Sequence, residues 1–141
     1  MTLEELNAHL QLLQKRAELA AILDRLYSKA FPGAQRFDGA PHRSGPQDKR
    51  GQVEELAVEI AQLRESIDAL DAEIRASEAA VEAFISGIPE ARTRLIFALR
   101  FVRGLTWKQV ADTMGQHVSV WSASKICYDY LQDQRTEEGS N

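Results

Sequence analysis

Apolar residues alternate spacings of three and four through the middle of the chain, and this repeat constrains the fold more than any other feature. The series is Val53, Leu56, Ile60, Leu63, Ile67, Leu70, Ile74, Ser77, Val81, Phe84 and Ile88. Such a repeat holds one stripe of a helix against a partner helix. The sequence therefore predicts an acidic coiled-coil helix over residues 52–88, about 50 Å long at 1.5 Å per residue.

A second amphipathic segment precedes this one and predicts a helix over residues 2–30. One apolar stripe consists of Leu3, Leu6, Leu10, Leu13, Ala17 and Ala20, and a neighbouring stripe of Leu12, Leu19, Leu23 and Leu26. Two pairings stay open. With Val53 at heptad position a of the second helix, every a position is Val or Ile, which suits a parallel two-stranded homodimer. Alternatively, the first helix offers an apolar seam for an antiparallel hairpin within one chain. We favour the hairpin, with or without added dimerisation.

Residues 32–51 separate the two helices and contain three of the four prolines, without a hydrophobic period. That composition predicts a Pro/Gly-rich linker. The chain therefore divides into an N-terminal helix (1–31), a linker (32–51), a coil (52–88), a C-terminal module (89–131) and a flexible tail (132–141).

Charge is distributed unevenly along the 141 residues: the net charge is -4, yet residues 52–88 sum to -7 and residues 89–131 to +3. A locally basic module can bind nucleic acid within an acidic chain. Cys127 is the only cysteine, which excludes an internal disulfide, and the three histidines lack metal-ligand spacing. No apolar run is long enough to span a membrane, and no carboxylate pair adjoins a nucleophile. We expect a cytoplasmic protein that is not an enzyme and needs no cofactor.

The segment LTWKQVADTMG carries signals for both ends of a short helix. Thr106 and Gln109 have the spacing of a capping box, and Leu105 is placed to staple onto Val110. Gly115 is predicted to provide the left-handed residue that stops the helix. The apolar face consists of Trp107, Val110, Ala111 and Met114.

Helices are predicted on both sides of this one. Pro89 and Glu90 open a helix that ends at Gly104, and Ser119 is placed to cap a last helix. Its inner face would hold Val120, Ala123, Ile126, Cys127, Tyr130 and Leu131, and its outer face Trp121, Ser122, Lys125, Tyr128 and Asp129. The order helix, turn, helix predicts an all-α fold that ends in a three-helix helix-turn-helix.

Residues 88–131 resemble the fourth-region helix-turn-helix of sigma-70-type factors, in the version carried by small phage and prophage proteins of Gram-positive bacteria. The resemblance rests on Leu99-Arg100-Phe101, Gly104-Leu105-Thr106-Trp107, Val110-Ala111, Gly115 and Tyr130-Leu131. The stretch PGAQRFDGAPHRSG is similar to the Asp-Gly-Met-Pro linker of those proteins. One difference is that relatives commonly have Val-Arg-Lys where this chain has Ala123-Ser124-Lys125.

The resemblance implies a transcriptional regulator that binds double-stranded DNA near promoters, with RNA polymerase as a further candidate partner, in a bacterial host cell. Lys108 is expected to contact backbone phosphate, and Ser122, Lys125 and Tyr128 to approach base edges. The full set of candidate DNA-binding residues is Lys108, His117, Ser119, Ser122, Ser124, Lys125 and Tyr128.

Several roles and functions stay open at the level of sequence. Trp121 suits a contact with DNA, with the coil or with a partner. Arg92, Arg94 and Arg103 are candidates for further phosphate contacts, whereas Arg100, in an apolar run, is expected to be structural. Two alternative functions are a small DNA-packaging protein like a terminase small subunit and a coiled-coil interaction protein whose helix-turn-helix is degenerate.

Overall fold

The computed structural model describes residues 1–31, 48–115 and 117–139, with side chains at all of these positions except 48–50, 138 and 139. Within these ranges the fold is all-α, as predicted, and contains no strand. Most of the predicted linker, residues 32–47, lies outside the described residues. The elements are α1 (Leu3–Ala30), α2 (Asp48–Ser86), α3 (Ala91–Phe97), a π-helical turn (Ala98–Val102), α4 (Trp107–Met114) and α5 (Val120–Gly139).

The two long helices have nearly the predicted bounds. Helix α1 matches the prediction within one residue, whereas α2 begins at Asp48 rather than at residue 52 and ends at Ser86. The prediction placed residues 48–51 in the linker because the hydrophobic period begins only at Val53, and that part of it was wrong. A glycine inside a helix costs about 1 kcal/mol relative to alanine, which a 39-residue helix readily tolerates.

Residues 15–72 form one compact unit, made from the later part of α1 and the earlier part of α2. Arg16 Nε lies 2.6 Å from Asp71 Oδ1, and Arg64 Nη1 donates to Tyr27 Oη at 3.0 Å. Later positions in α1 thus meet earlier positions in α2, which makes the pair an antiparallel hairpin, as favoured from the sequence. The seam residues Ile60, Ile67 and Leu70 are buried here.

Residues 1–14 and the described residues from 73 onward form the other unit. Its core joins Leu6 and Leu10 of α1 to the buried side chains of α2, α3, the π-helical turn, α4 and α5. Three aromatic rings meet edge to face in it: Phe84 and Phe97 at 5.8 Å, Phe97 and Tyr130 at 5.6 Å, and Phe84 and Tyr130 at 6.1 Å. These rings bind the end of α2 to α3 and α5.

A polar pair interrupts the apolar seam inside this second unit. His9 is 2% exposed, and its Nδ1 lies within hydrogen-bond distance of Ser77 Oγ. The Ser77 hydroxyl also lies 3.2 Å from Ile74 O, to which it can donate. Burial lowers the pKa of His9, and the charge of Glu78 acts in the opposite sense. The serine in the predicted seam is therefore the partner of a buried histidine.

Two stripe residues do not follow the prediction. Ala17 is exposed, and Val53, at the beginning of the seam, is 37% exposed. An α-helix drifts by about 20° per heptad relative to a strict 3.5-residue repeat, so a straight stripe gradually rotates away from its partner. In α1 the half-buried positions beyond Ala17 include Leu19, Leu23 and Leu26 of the neighbouring stripe.

Candidate functional site

Helix α3 begins at Ala91, two residues after Pro89, where the sequence indicated its start. Glu90 is its N-cap, with extended backbone (φ -81°, ψ 123°), so Pro89 precedes the helix instead of occupying its first turn. The Thr93 hydroxyl donates to Glu90 Oε2 at 3.2 Å. This contact fixes the entry to the helix that supports the candidate site.

The helix continues into a π-helical turn, which sequence patterns did not reveal. The Arg103 N–H donates to Ala98 O at 3.1 Å, five residues back, and Gly104 follows with a φ of 70°. Only glycine adopts a positive φ without steric cost, so the predicted stop at Gly104 is confirmed.

Arg100 projects from this turn and makes structural contacts, as expected. Its Nη1 donates to Leu105 O at 2.8 Å, and its guanidinium lies 5.0 Å from the centroid of the Trp107 ring. The Nε atom is buried without a hydrogen-bond partner among the described residues. Arg100 therefore ties the π-helical turn to the beginning of α4.

Helix α4 has the capping box that the sequence predicts. Thr106 Oγ1 accepts from the Gln109 N–H at 3.2 Å, and Gln109 Oε1 accepts from the Thr106 N–H at 2.9 Å. Val110 and Ala111 are buried, while Trp107 is half-buried with its ring 6.5 Å from that of Phe101. The helix thus presents its apolar face to the core and keeps Lys108 exposed.

The turn after α4 begins at Gly115, whose φ of 100° only glycine readily adopts. Its ψ of -165° lies outside the left-handed helical region, so the prediction of a left-handed residue was wrong in detail. Gln116 lies outside the described residues. Val118 is buried at 7% exposure. Val118 was not predicted from the sequence, although an apolar residue between polar neighbours in a turn is a signal for such an anchor.

Helix α5 is capped by Ser119, as predicted: Ser119 Oγ accepts from the Ser122 N–H at 3.0 Å. Ala123 and Cys127 are fully buried on the predicted inner face, and burial raises the pKa of the Cys127 thiol to about 12, opposed by the charge of Arg100. Val120 was assigned to that face wrongly, because it is 45% exposed. The helix also continues to Gly139, so residues 132–139 of the predicted tail are helical.

The outer face of α5 carries aromatic and charged side chains next to one another. Trp121 is 69% exposed and Tyr128 is 45% exposed. Lys125 Nζ lies 3.0 Å from Asp129 Oδ2 and 5.6 Å from the centroid of the Trp121 ring. The rings of Tyr128 and Trp107 are 6.1 Å apart, which connects this face to the first residue of α4.

The other candidate DNA-binding residues divide into exposed side chains and side chains with local partners. Lys108 and His117 are exposed. Ser119 Oγ donates to Ser122 Oγ at 2.9 Å, and Ser124 Oγ donates to Trp121 O at 3.0 Å. The three serine hydroxyls therefore take part in hydrogen bonds within the first turns of α5, whereas Lys108, His117, Lys125 and Tyr128 are exposed.

Of the three arginines considered for phosphate contacts, one has a clear structural partner. Arg94 Nη1 donates to Ile88 O at 2.9 Å, across the beginning of α3. Arg92 and Arg103 are exposed. Arg92 and Arg103 are therefore the stronger candidates for contacts with DNA phosphate.

Among the described residues, no group of three His, Cys, Asp or Glu side chains is placed to hold a metal ion. None of the helices described is both long and apolar enough to cross a membrane. Comparisons with protein-family models, with curated proteins and with solved structures gave no match to this chain. The residues of the site are therefore the basis for assigning a function.

Proposed function

We propose that this protein binds double-stranded DNA through α4 and α5 and acts as a phage-type transcriptional regulator. The observation that carries the proposal is the exposed face of α5, where Lys125, Trp121 and Tyr128 lie together beside a firmly capped α4. In a helix-turn-helix the second helix enters the major groove and the first helix supports it.

Packing supports this assignment of roles. Helix α5 is anchored along one side by Ala123 and Cys127, both with no exposed surface, and α4 is anchored by Val110. A recognition helix must be held rigidly while its other side stays accessible. Fixed anchors and exposed Lys125 and Tyr128 on one helix satisfy both requirements.

Charge supports the proposal more weakly. Residues 89–131 have a net charge of +3, and Lys108, Arg92 and Arg103 are exposed. Lys125 is the basic side chain beside the exposed ring of Trp121, and the carboxylate of Asp129 partly neutralises its charge. We expect modest affinity and steep salt dependence, since phosphate contacts release counterions.

Fluorescence anisotropy of labelled duplex DNA, titrated with the full chain across a salt series, tests the proposal. Lys108→Ala should weaken all duplexes about equally and reduce the salt slope by about one counterion. Lys125→Ala should cost about 1–3 kcal/mol on a preferred duplex and relax sequence choice there. Ser124→Arg restores the residue common in the resembling family, and it should tighten binding because a guanidinium adds a phosphate or guanine contact.

Lys15→Ala is the matched control, since Lys15 is an exposed lysine of α1 outside the candidate site. It should leave binding close to that of the wild type. DNA binding is rejected if neither the wild type nor Ser124→Arg binds any duplex near 50 mM salt.

A protein partner is the second candidate for the same face. The specific observation is apolar exposure: Trp121, Val120 and Tyr128 are all at least 45% exposed. Tryptophan and tyrosine are the residues most enriched in interface hot spots. If Trp121→Ala abolishes capture of purified RNA polymerase and leaves duplex affinity unchanged, the face binds protein; the reverse result favours DNA.

A further inference from the structure

The hairpin unit, residues 15–72, leaves part of its apolar surface uncovered. Helix α1 carries two apolar stripes, but a single partner helix covers only one side of it. Ile22 is 41% exposed, and Leu19 and Leu26 are half-buried. Ile22 and Leu26 form one wall of a shallow groove, whose other wall on α2 consists of Glu59, Gln62, Leu63 and Ser66.

The core of this unit contains few buried apolar side chains for the length of its helices. Its buried apolar residues are Ala30, Ile60, Ile67 and Leu70. Only the alanine belongs to α1, so every leucine of α1 in this unit retains accessible surface. A two-helix hairpin cannot cover both apolar stripes of α1. In helical proteins a further layer of helices normally covers the remaining stripe.

The two helices of the hairpin have opposite charge. Residues 15–31 have a net charge of +2, from Lys15, Arg16, Arg25 and Lys29 against Glu18 and Asp24. Residues 51–72 have a net charge of -5, from Glu54, Glu55, Glu59, Glu65, Asp68 and Asp71 against Arg64. The α1 side of the hairpin is therefore net basic and the α2 side net acidic, and Glu59 is the charged residue among those that line the groove itself.

From the apolar groove and the opposite net charges of the two helices we infer that this face docks a second copy of the same chain. A hairpin with one net basic helix and one net acidic helix is complementary to itself when turned by a two-fold axis parallel to the helices. That axis places α1 of each copy against α2 of the other, which gives an antiparallel four-helix bundle with the apolar grooves at its centre. The inference does not depend on DNA binding.

Ile22→Glu tests the apolar part of the interface. The change lies in the groove at a partly exposed position, so the hairpin itself should fold, which circular dichroism checks. Val58→Glu is the matched control, because Val58 is 57% exposed in the same unit and does not line the groove. Sedimentation equilibrium from about 1 µM to about 1 mM should show wild type and Val58→Glu rising to twice the 15.8 kDa monomer mass, while Ile22→Glu stays monomeric.

Charge reversal tests whether the partner is a second copy. Lys29→Glu and Glu59→Lys should each weaken self-association severalfold, because like charges then face each other in both contacts of the dimer. An equimolar mixture of the two variants should associate more tightly than either one alone, since mixed dimers restore both opposite-charge contacts.

Two results would overturn the inference. One is a wild-type protein that stays at 15.8 kDa up to about 1 mM, the range in which even a weak dimer forms. The other is equal dissociation by Ile22→Glu and Val58→Glu, which would place the contact outside the groove. DNA binding by a monomeric Ile22→Glu variant would leave the proposed function intact, so the two proposals fail separately.

Discussion

The two units of this chain are both built from amphipathic helices, but they bury their apolar side chains to different degrees. The unit of residues 1–14 and 73 onward buries Phe97, Phe101 and Ile96 to 1% exposure or less. In the unit of residues 15–72, the most buried large side chains, Ile60, Ile67 and Leu70, retain 7%. The difference shows that a regular heptad seam specifies which side of a helix is covered, whereas the number of packed elements decides how completely.

The largest expected effect tests this difference in closure. Phe97→Ala should destabilise its unit by about 4 kcal/mol, because the cavity lies among rings that cannot all move inward. Ile67→Ala should cost about 2 kcal/mol, which is the low end of the range for replacing a buried isoleucine by alanine. The reason is that the half-buried side chains around it can shift into the space. Urea unfolding followed by tryptophan fluorescence and circular dichroism measures both changes. Equal losses would mean that the hairpin is as tightly packed as the other unit.

The next effect is a pH dependence that only the unit containing His9, residues 1–14 and 73 onward, should show. The pKa of His9 is lowered in the folded chain, so folding favours the neutral ring. Its contribution to stability is complete above the unfolded pKa of about 6.5 and is lost as the pH falls towards the folded pKa, with a slope of at most about 1.4 kcal/mol per pH unit.

His9→Gln should flatten the pH dependence of unfolding between about pH 7 and pH 5. His117→Gln is the control, because His117 is exposed and should leave the wild-type dependence unchanged. An unchanged pH profile in His9→Gln would show that the buried pair with Ser77 does not govern it.

A smaller effect concerns the local signals that begin α4. Thr106→Ala removes the capping box and should cost about 1 kcal/mol. Thr113→Ala removes the same atoms from the last turn of that helix, where alanine is the better helix former, and should be neutral or slightly stabilising. Denaturant unfolding followed by Trp107 and Trp121 fluorescence compares the two variants, and equal stability would argue against a role for the cap.

The smallest effect sharpens the proposed DNA contact. Asp129→Asn releases Lys125 from an exposed ion pair worth about 0.2–1 kcal/mol, so duplex affinity should rise by up to about fivefold. Asp112→Asn removes the same charge from the exposed surface of α4 and gives the general electrostatic effect. Anisotropy should show the larger gain for Asp129→Asn. Equal gains would indicate that Lys125 does not contact the DNA directly.

Much of the secondary structure followed from the sequence because its signals are local. The cap at Thr106, the cap at Ser119 and the stop at Gly104 each depend on residues within a few positions of one another. The extent of the candidate site was harder to predict. Val120 was placed on the wrong face and Val118 was missed, since the turn before α5 sets the rotation of that helix.

The sequence by itself determined the all-α class and the apolar face of α4, because periodicity and capping act through neighbouring residues. It left two pairings of the long helices open, and the contacts of Arg16 with Asp71 and of Arg64 with Tyr27 decided for the antiparallel one. Only the tertiary structure decided that His9 is buried against Ser77, 68 residues away, and that α5 continues to Gly139. It also showed the contact of Arg100 with Trp107 and the ion pair of Lys125 with Asp129. Contacts between distant positions, and the choice among several local partners, depend on how the helices pack, and no short stretch of sequence contains that information.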